Sequence, residues 1–224
     1  MRVINKSNPM QDQRGFVPKH GGYKDLKSFQ SSVIVYDFTV EFCMRYVPSH
    51  KMRDQMEGAA RSGSQNIGEG SANSGTSKQT ELRLVNVAKG SLKELSLDYE
   101  AYLRQHGLAV WGKNDPRSVA VRQLAYVSNR SYATYQTYIE NPERAANAAL
   151  CLIFQTTYLL DQQMKVLEKE LLREGDVKEQ FRSRRVEERK RVLMDDGPPI
   201  EEFLAELGFE VLPNGQVRKV DKKK

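Results

Sequence analysis

Four segments of this chain carry apolar residues at spacings that alternate between three and four. In the first, Tyr23 to Val47, they fall at Leu26, Phe29, Val33, Tyr36, Val40, Cys43 and Val47. A strand would repeat every two residues, whereas a period near 3.6 gathers these side chains on one stripe of a helix. Residues 49–73 repeat the pattern with Met52, Met56, Ala59, Ala60, Gly63 and Ile67, and 77–106 with Leu82, Val85, Ala88, Leu92, Leu95, Tyr99 and Tyr102. The fourth segment, 143–174, carries Ala146, Leu150, Ile153, Thr157, Leu160, Met164, Leu167 and Leu171. One-sided helices joined by short connections bury their stripes against one another. The expected fold is therefore all-α: an up-down antiparallel four-helix bundle.

Local signals set the boundaries. Pro48 ends the first helix, because the residue before a proline is pushed out of the α region, and Ser49 can cap the second. Thr76 and Gln79 have capping-box spacing for the third, and Gly107 suits its C-terminus. Pro116 fits the first turn of an accessory helix over about 116–140, which ends at Asn141-Pro142. Beyond Gly175, the segment IEEFLAEL predicts a short helix and GFEVLPNGQVRKV a small hairpin around Pro213-Asn214-Gly215. Three regions follow: a flexible basic arm at 1–22, the bundle at 23–175 and a charged extension at 176–224.

The second helix is unusual in its small residues, Gly58, Ser62, Gly63 and Ser64. Each glycine costs about 1 kcal/mol of helix propensity, which only close packing offsets. That helix is expected to be buried on more than one side.

Composition narrows the chemistry. With 39% apolar residues a core can form, and two distant cysteines, Cys43 and Cys151, exclude a disulfide scaffold and a multi-cysteine zinc cluster. Both fall on apolar faces, as small buried hydrophobes do. No Glu-x-x-His pair is present for a di-metal bundle, and Gly68-Glu69-Gly70 lacks the lysine and spacing of a phosphate loop. Arg45–His50 and Arg14–His20 have the spacing of a helical ribonuclease motif. With 18 Arg and three His in the chain, however, chance supplies pairs at nearly this frequency. No catalytic residue, metal or cofactor is assigned. Residues 1–22 lack the apolar core of a signal peptide, and no apolar stretch approaches the roughly 20 residues needed to span a bilayer, so a cytoplasmic protein is expected.

Two candidate binding features remain. Tyr126, Tyr132, Tyr135 and Tyr138 accompany Arg117, Arg122 and Arg130; aromatic rings stack bases and arginines hold phosphates. The same tyrosines, about one turn apart, can equally line a packing face. The segment 178–191 carries Lys178, Arg182, Arg184, Arg185, Arg189, Lys190 and Arg191 against three glutamates. This is either a phosphate-binding helix or a solvated face that pairs with the acidic run after it. The net charge of +6 divides accordingly: residues 23–177 are nearly neutral, and the surplus sits in the flanks. The nucleic-acid reading assigns phosphate contact to Arg122, Arg130 and the seven cations of 178–191, with Tyr132 and Tyr135 as stacking groups.

The run from Gln55 to Ser62 (QMEGAARS), the run from Gln65 to Gly70 (QNIGEG) and the run from Lys89 to Leu95 (KGSLKEL) resemble a known signature. They are similar to those of the four-helix-bundle proteins encoded in intervening sequences of large-subunit ribosomal RNA genes. That family also includes the accessory variability protein of diversity-generating retroelements. The resemblance runs from about Tyr23 to Tyr102 and resumes over 143–174, and the C-terminal tail resembles a subgroup with a suffix extension. It implies an up-down bundle assembled into a barrel-like homopentamer, without enzymatic activity. It also implies partners among RNA, DNA and a nucleic-acid enzyme such as a reverse transcriptase. The insertion at 107–141 and the long tail depart from the minimal family. The alternative is a protein-interaction scaffold with no direct nucleic-acid contact.

Overall fold

Three of the four long helices begin where a side chain satisfies a free N–H group; the first starts after Leu26 without such a cap. The computed structural model describes residues 22–195, 200–212 and 216–219. The basic arm, apart from Gly22, the Arg14–His20 pair and the turn Pro213-Asn214-Gly215 lie outside the described residues. The chain divides into two compact units, Met1–Val177 and Lys178–Lys224.

In the first unit, α1 spans Lys27–Tyr46, α2 His50–Asn73, α3 Lys78–Gln105, α4 Pro116–Gln123 and α5 Pro142–Glu174. Ser49 caps α2 by accepting from Met52 N at 3.4 Å. The cap of α3 is Ser77, one residue beyond the expected box; its Oγ accepts from Thr80 N at 3.2 Å. Thr76 instead closes the preceding turn, donating to Asn73 O at 3.0 Å. Ser77 prevails because Asp176 holds it from the far end of α5, accepting from Ser77 Oγ at 2.9 Å and from Lys78 N at 3.0 Å. Asp115 and Asn141 cap α4 and α5, each followed by a proline in the first turn.

Helices α1, α2, α3 and α5 close into a bundle, each packing on two neighbours. Contact register gives the directions. Ser28 and Ser31 of α1 bond Gln163 and Thr156 of α5, in reverse order along the chain. Gly63 and Gly70 of α2 lie against Leu92 and Leu84 of α3 in the same inverted sense. The core between them holds Phe38, Phe42, Ile67, Leu92, Leu95, Tyr99, Leu152 and Ile153, all essentially sealed from solvent. Phe42 meets Tyr99 and Tyr102 at ring-centroid distances of 4.8 and 4.9 Å.

The expected accessory helix over 116–140 is not continuous. α4 stops at Gln123, a 3-10 turn follows at Leu124–Tyr126, and a second 3-10 segment spans Tyr132–Glu140. The polar stretch between them includes Asn129 at φ 55°, a left-handed conformation that asparagine tolerates. In the second segment the tyrosine spacing suits the tighter coil. Residues three apart eclipse on a 3-10 helix but drift on an α-helix, so the tighter coil turns Tyr132, Tyr135 and Tyr138 to one side.

The second unit holds α6 (Val177–Asp195, whose first residue closes the first unit), α7 (Ile200–Glu206), β1 (Phe209–Val211) and β2 (Val217–Lys219). The strands pair antiparallel with Glu210 opposite Arg218, and these two side chains form an ion pair.

Small residues on α2 act unequally. A Cβ at Gly63 would lie 2.9 Å from Leu92 Cδ2 and 3.0 Å from its Cγ, and one at Gly70 3.3 Å from Leu84 Cβ. Gly58 faces open space. Gly58→Ala should therefore raise stability by about 1 kcal/mol through helix propensity alone. Gly63→Ala should lower it by about 1–3 kcal/mol, because Leu92 is itself buried and has nowhere to swing. Paired thermal melts check both signs.

Glu81 of α3 is buried, and its Oε1 accepts from Gln163 Nε2 at 3.3 Å. Burial holds its carboxyl above the ordinary glutamate value; Gln163 and Lys78 oppose the shift without reversing it, and Glu170 adds to it. A raised carboxyl stabilises the fold below its unfolded value and loses that contribution as pH rises through its folded value. Glu81→Gln should therefore flatten the loss of stability between acid and neutral pH, measured as melting temperature across that range.

Candidate nucleic-acid interface

The connection from α3 to α5 is anchored by one amide. Asn147, buried on α5, accepts from Trp111 N at 2.7 Å and donates to Ala109 O at 2.8 Å and Glu143 O at 2.9 Å. The Trp111 indole donates to Glu143 Oε1 at 3.1 Å. The Arg117 guanidinium lies 4.5 Å from the indole centroid and pairs with both Asp115 and Glu143. Hydrogen bonds from Arg117 hold the Asp115 carboxyl below its ordinary value. Nothing in the sequence pattern singled out Asn147 or Glu143; the one available signal was the lone tryptophan beside a proline-started helix.

The candidate residues of this region have very different exposure. Tyr135 is fully buried, Tyr132 and Tyr138 are half-buried, and Tyr126 is 90% exposed. Tyr132 meets Phe38 edge-on at a centroid distance of 6.1 Å. The face of three tyrosines is thus a packing face, and Tyr135 offers no surface to a base. The Tyr135 hydroxyl is sealed without a hydrogen-bond partner among the described residues. Burial pushes its pKa up, and nearby Arg130 opposes that push. Arg130 and Arg122 are half-buried. Arg122 Nη2 donates to Lys113 O at 2.7 Å, and its backbone carbonyl accepts from Gln155 Nε2 at 3.0 Å.

The seven basic candidates of 178–191 all lie on α6 and are exposed. Lys178, Arg182, Arg185 and Arg189 recur at spacings of four, three and four, which places them on one stripe of this helix. Exposed Phe181 and Val186 flank it. Arg184 and Arg191 fall on another side together with Glu188, which pairs with Arg191 at 3.3 Å, and Lys190 lies between the two sides. The helix has no continuous apolar face to bury, consistent with its exposure from 181 to 191.

Arg45 is held by Glu41 on the preceding turn at 2.5 Å, and no hydrogen bond or ion pair joins it to exposed His50. Cys43 and Cys151 are buried free thiols; burial pushes Cys43 up to about 12 and raises Cys151 as well. Among the described residues no group of three or more His, Cys, Asp or Glu side chains is placed to hold a metal ion. No helix among them is long and apolar enough to cross a membrane.

Comparison of the chain with models of protein families, with curated proteins and with solved structures finds no match.

The unpartnered hydroxyl of Tyr135 yields a test of the packing role. Tyr135→Phe removes a buried hydroxyl that makes no well-formed hydrogen bond and has Arg130 as its polar neighbour, so stability should change by no more than about 1 kcal/mol. Chemical denaturation of the two proteins measures the change.

Proposed function

We propose that this chain is a non-enzymatic, oligomeric accessory protein that binds nucleic acid, RNA in the first instance, alone or beside a nucleic-acid enzyme such as a reverse transcriptase. The observation that carries this reading is the cationic stripe of α6. Four long cationic side chains stand one turn apart on an exposed helix, and the glutamates of that helix lie off the stripe. Such an array neutralises successive phosphates and releases their counterions, giving a binding energy that depends on salt and hardly on sequence. Flanking Phe181 can lie against a base.

The resemblance of the segments around Gly63 and Gly90 to the ribosomal intervening-sequence bundle family supports the same reading, including a homo-oligomer of pentameric order. Exposed Val87 on α3 and Val166 and Leu172 on α5 supply apolar surface for assembly. In an oligomer each copy adds its own stripe, so weak contacts multiply. Cytoplasmic placement belongs to this reading. A second reading, a protein-interaction scaffold, is favoured by exposed Leu207 and Val217 in the second unit.

Electrophoretic titration against a single-stranded RNA at two salt concentrations tests the proposal. The wild-type chain should bind at low salt. Substituting Arg182, Arg185 and Arg189 together by alanine should weaken binding at least tenfold and reduce the log–log salt slope by about 2. Absence of low-salt binding, or an unchanged triple variant, overturns it. A protein partner lost from a chain ending at Gly197, with RNA binding intact, favours the scaffold.

A further inference from the structure

A cleft of about 390 Å³ opens in the first unit between α3, the connection that follows it, α4 and α5. Its inner surface is apolar: the Trp111 indole, Leu150, Cys151 and Phe154, with Val110 at the lip. Its charged groups are Lys113, Arg122 and Glu100. The volume falls within the range of small-molecule sites, about 300–1,000 Å³.

Three features separate this cleft from a packing defect. Its wall is rigid, because Asn147 clamps Ala109 and Trp111 through two hydrogen bonds, so a ligand would meet a formed surface. Its apolar lining continues outward: Phe154 is 51% and Val110 59% exposed, while Trp111 behind them is buried. Its cations are also not neutralised within the fold. Arg122 donates one N–H to the Lys113 carbonyl, no ion pair joins Arg122 or Lys113 to a carboxylate among the described residues, and the neighbouring acids Asp115 and Glu143 are engaged by Arg117. Two cations against the single carboxylate of Glu100 leave the cleft positive. A guanidinium carries five donors in a planar fork, suited to a carboxylate or sulfonate.

We propose that this cleft binds a small apolar anion, an aromatic or branched aliphatic monocarboxylate whose body lies against Trp111 and Phe154 and whose charge meets Arg122 and Lys113. The site is independent of the α6 stripe and lies wholly within the first unit.

Trp111 is the only tryptophan of the chain and lines this cleft, so its emission responds to a probe bound here; it also lines a second cleft with Arg117, Tyr138 and Arg144, from which the Lys113 and Arg122 variant below distinguishes it. The full-length protein is titrated with 8-anilinonaphthalene-1-sulfonate and with its neutral analogue N-phenyl-1-naphthylamine. The sulfonate should quench Trp111 by energy transfer, saturably and at one probe per chain. It should bind about tenfold tighter than the neutral probe, the value of one charge-assisted contact, and 3-phenylpropionate should displace it. Replacing Lys113 and Arg122 together by glutamine should remove the preference for the anion and leave the neutral probe unchanged, with a circular-dichroism melt confirming the fold. No transfer from Trp111, equal affinity for the two probes, or an anion preference retained in the double variant overturns the proposal. Probe affinity that falls as protein concentration rises overturns it in favour of a second copy of the chain as occupant.

Discussion

Leu92 of α3 occupies the space that a side chain at position 63 of α2 would take. A Cβ there would sit 2.9 Å from the leucine, so Gly63 fixes how near the two helices run. The remaining packing follows from that distance. With α2 close, Ile67 and Ala60 reach the same core as Val85 and Leu95, and α1 and α5 close the other side. The glycine that weakens the helix by itself is what lets the bundle form tightly, a trade between local propensity and tertiary contact.

A ladder of small polar contacts runs through this core and is satisfied almost throughout. Tyr99 donates to Thr39, which donates to the Val35 carbonyl; Ser31 meets Thr156; Ser28 meets Gln163, which reaches Glu81. Buried polar groups cost stability unless paired, and each of the pairings between helices works in only one register. They therefore specify alignment more than they add stability. The buried Tyr135 hydroxyl departs from this rule, and Glu81 follows it only at the expense of a raised carboxyl pKa.

The apolar periodicity made the four long helices legible, because a repeat of three and four has only one regular solution. Ser49, Pro116 and Asn141 marked boundaries correctly, since capping depends on residues a few positions apart. The third helix's cap shifted to Ser77 because Asp176, nearly a hundred residues away, holds it. The tyrosine cluster was ambiguous for the same kind of reason. Spacing of three suits a stacking surface and a 3-10 packing face equally, and only the neighbour Phe38 distinguishes them. The cationic run was visible as charge, but its order emerges only on a helix, where Lys178, Arg182, Arg185 and Arg189 align.

The sequence by itself determined the all-α class, the four seams and the division of charge between a near-neutral bundle and its flanks. These depend on periodicity and composition, which are local. The tertiary structure alone decided which tyrosine is buried, which arginines are engaged by acids, and that Trp111, Cys151 and Phe154 share a cleft with Lys113 and Arg122. The last of these joins residues about 40 positions apart through the folding of α4 against α5, and no local pattern encodes such a meeting.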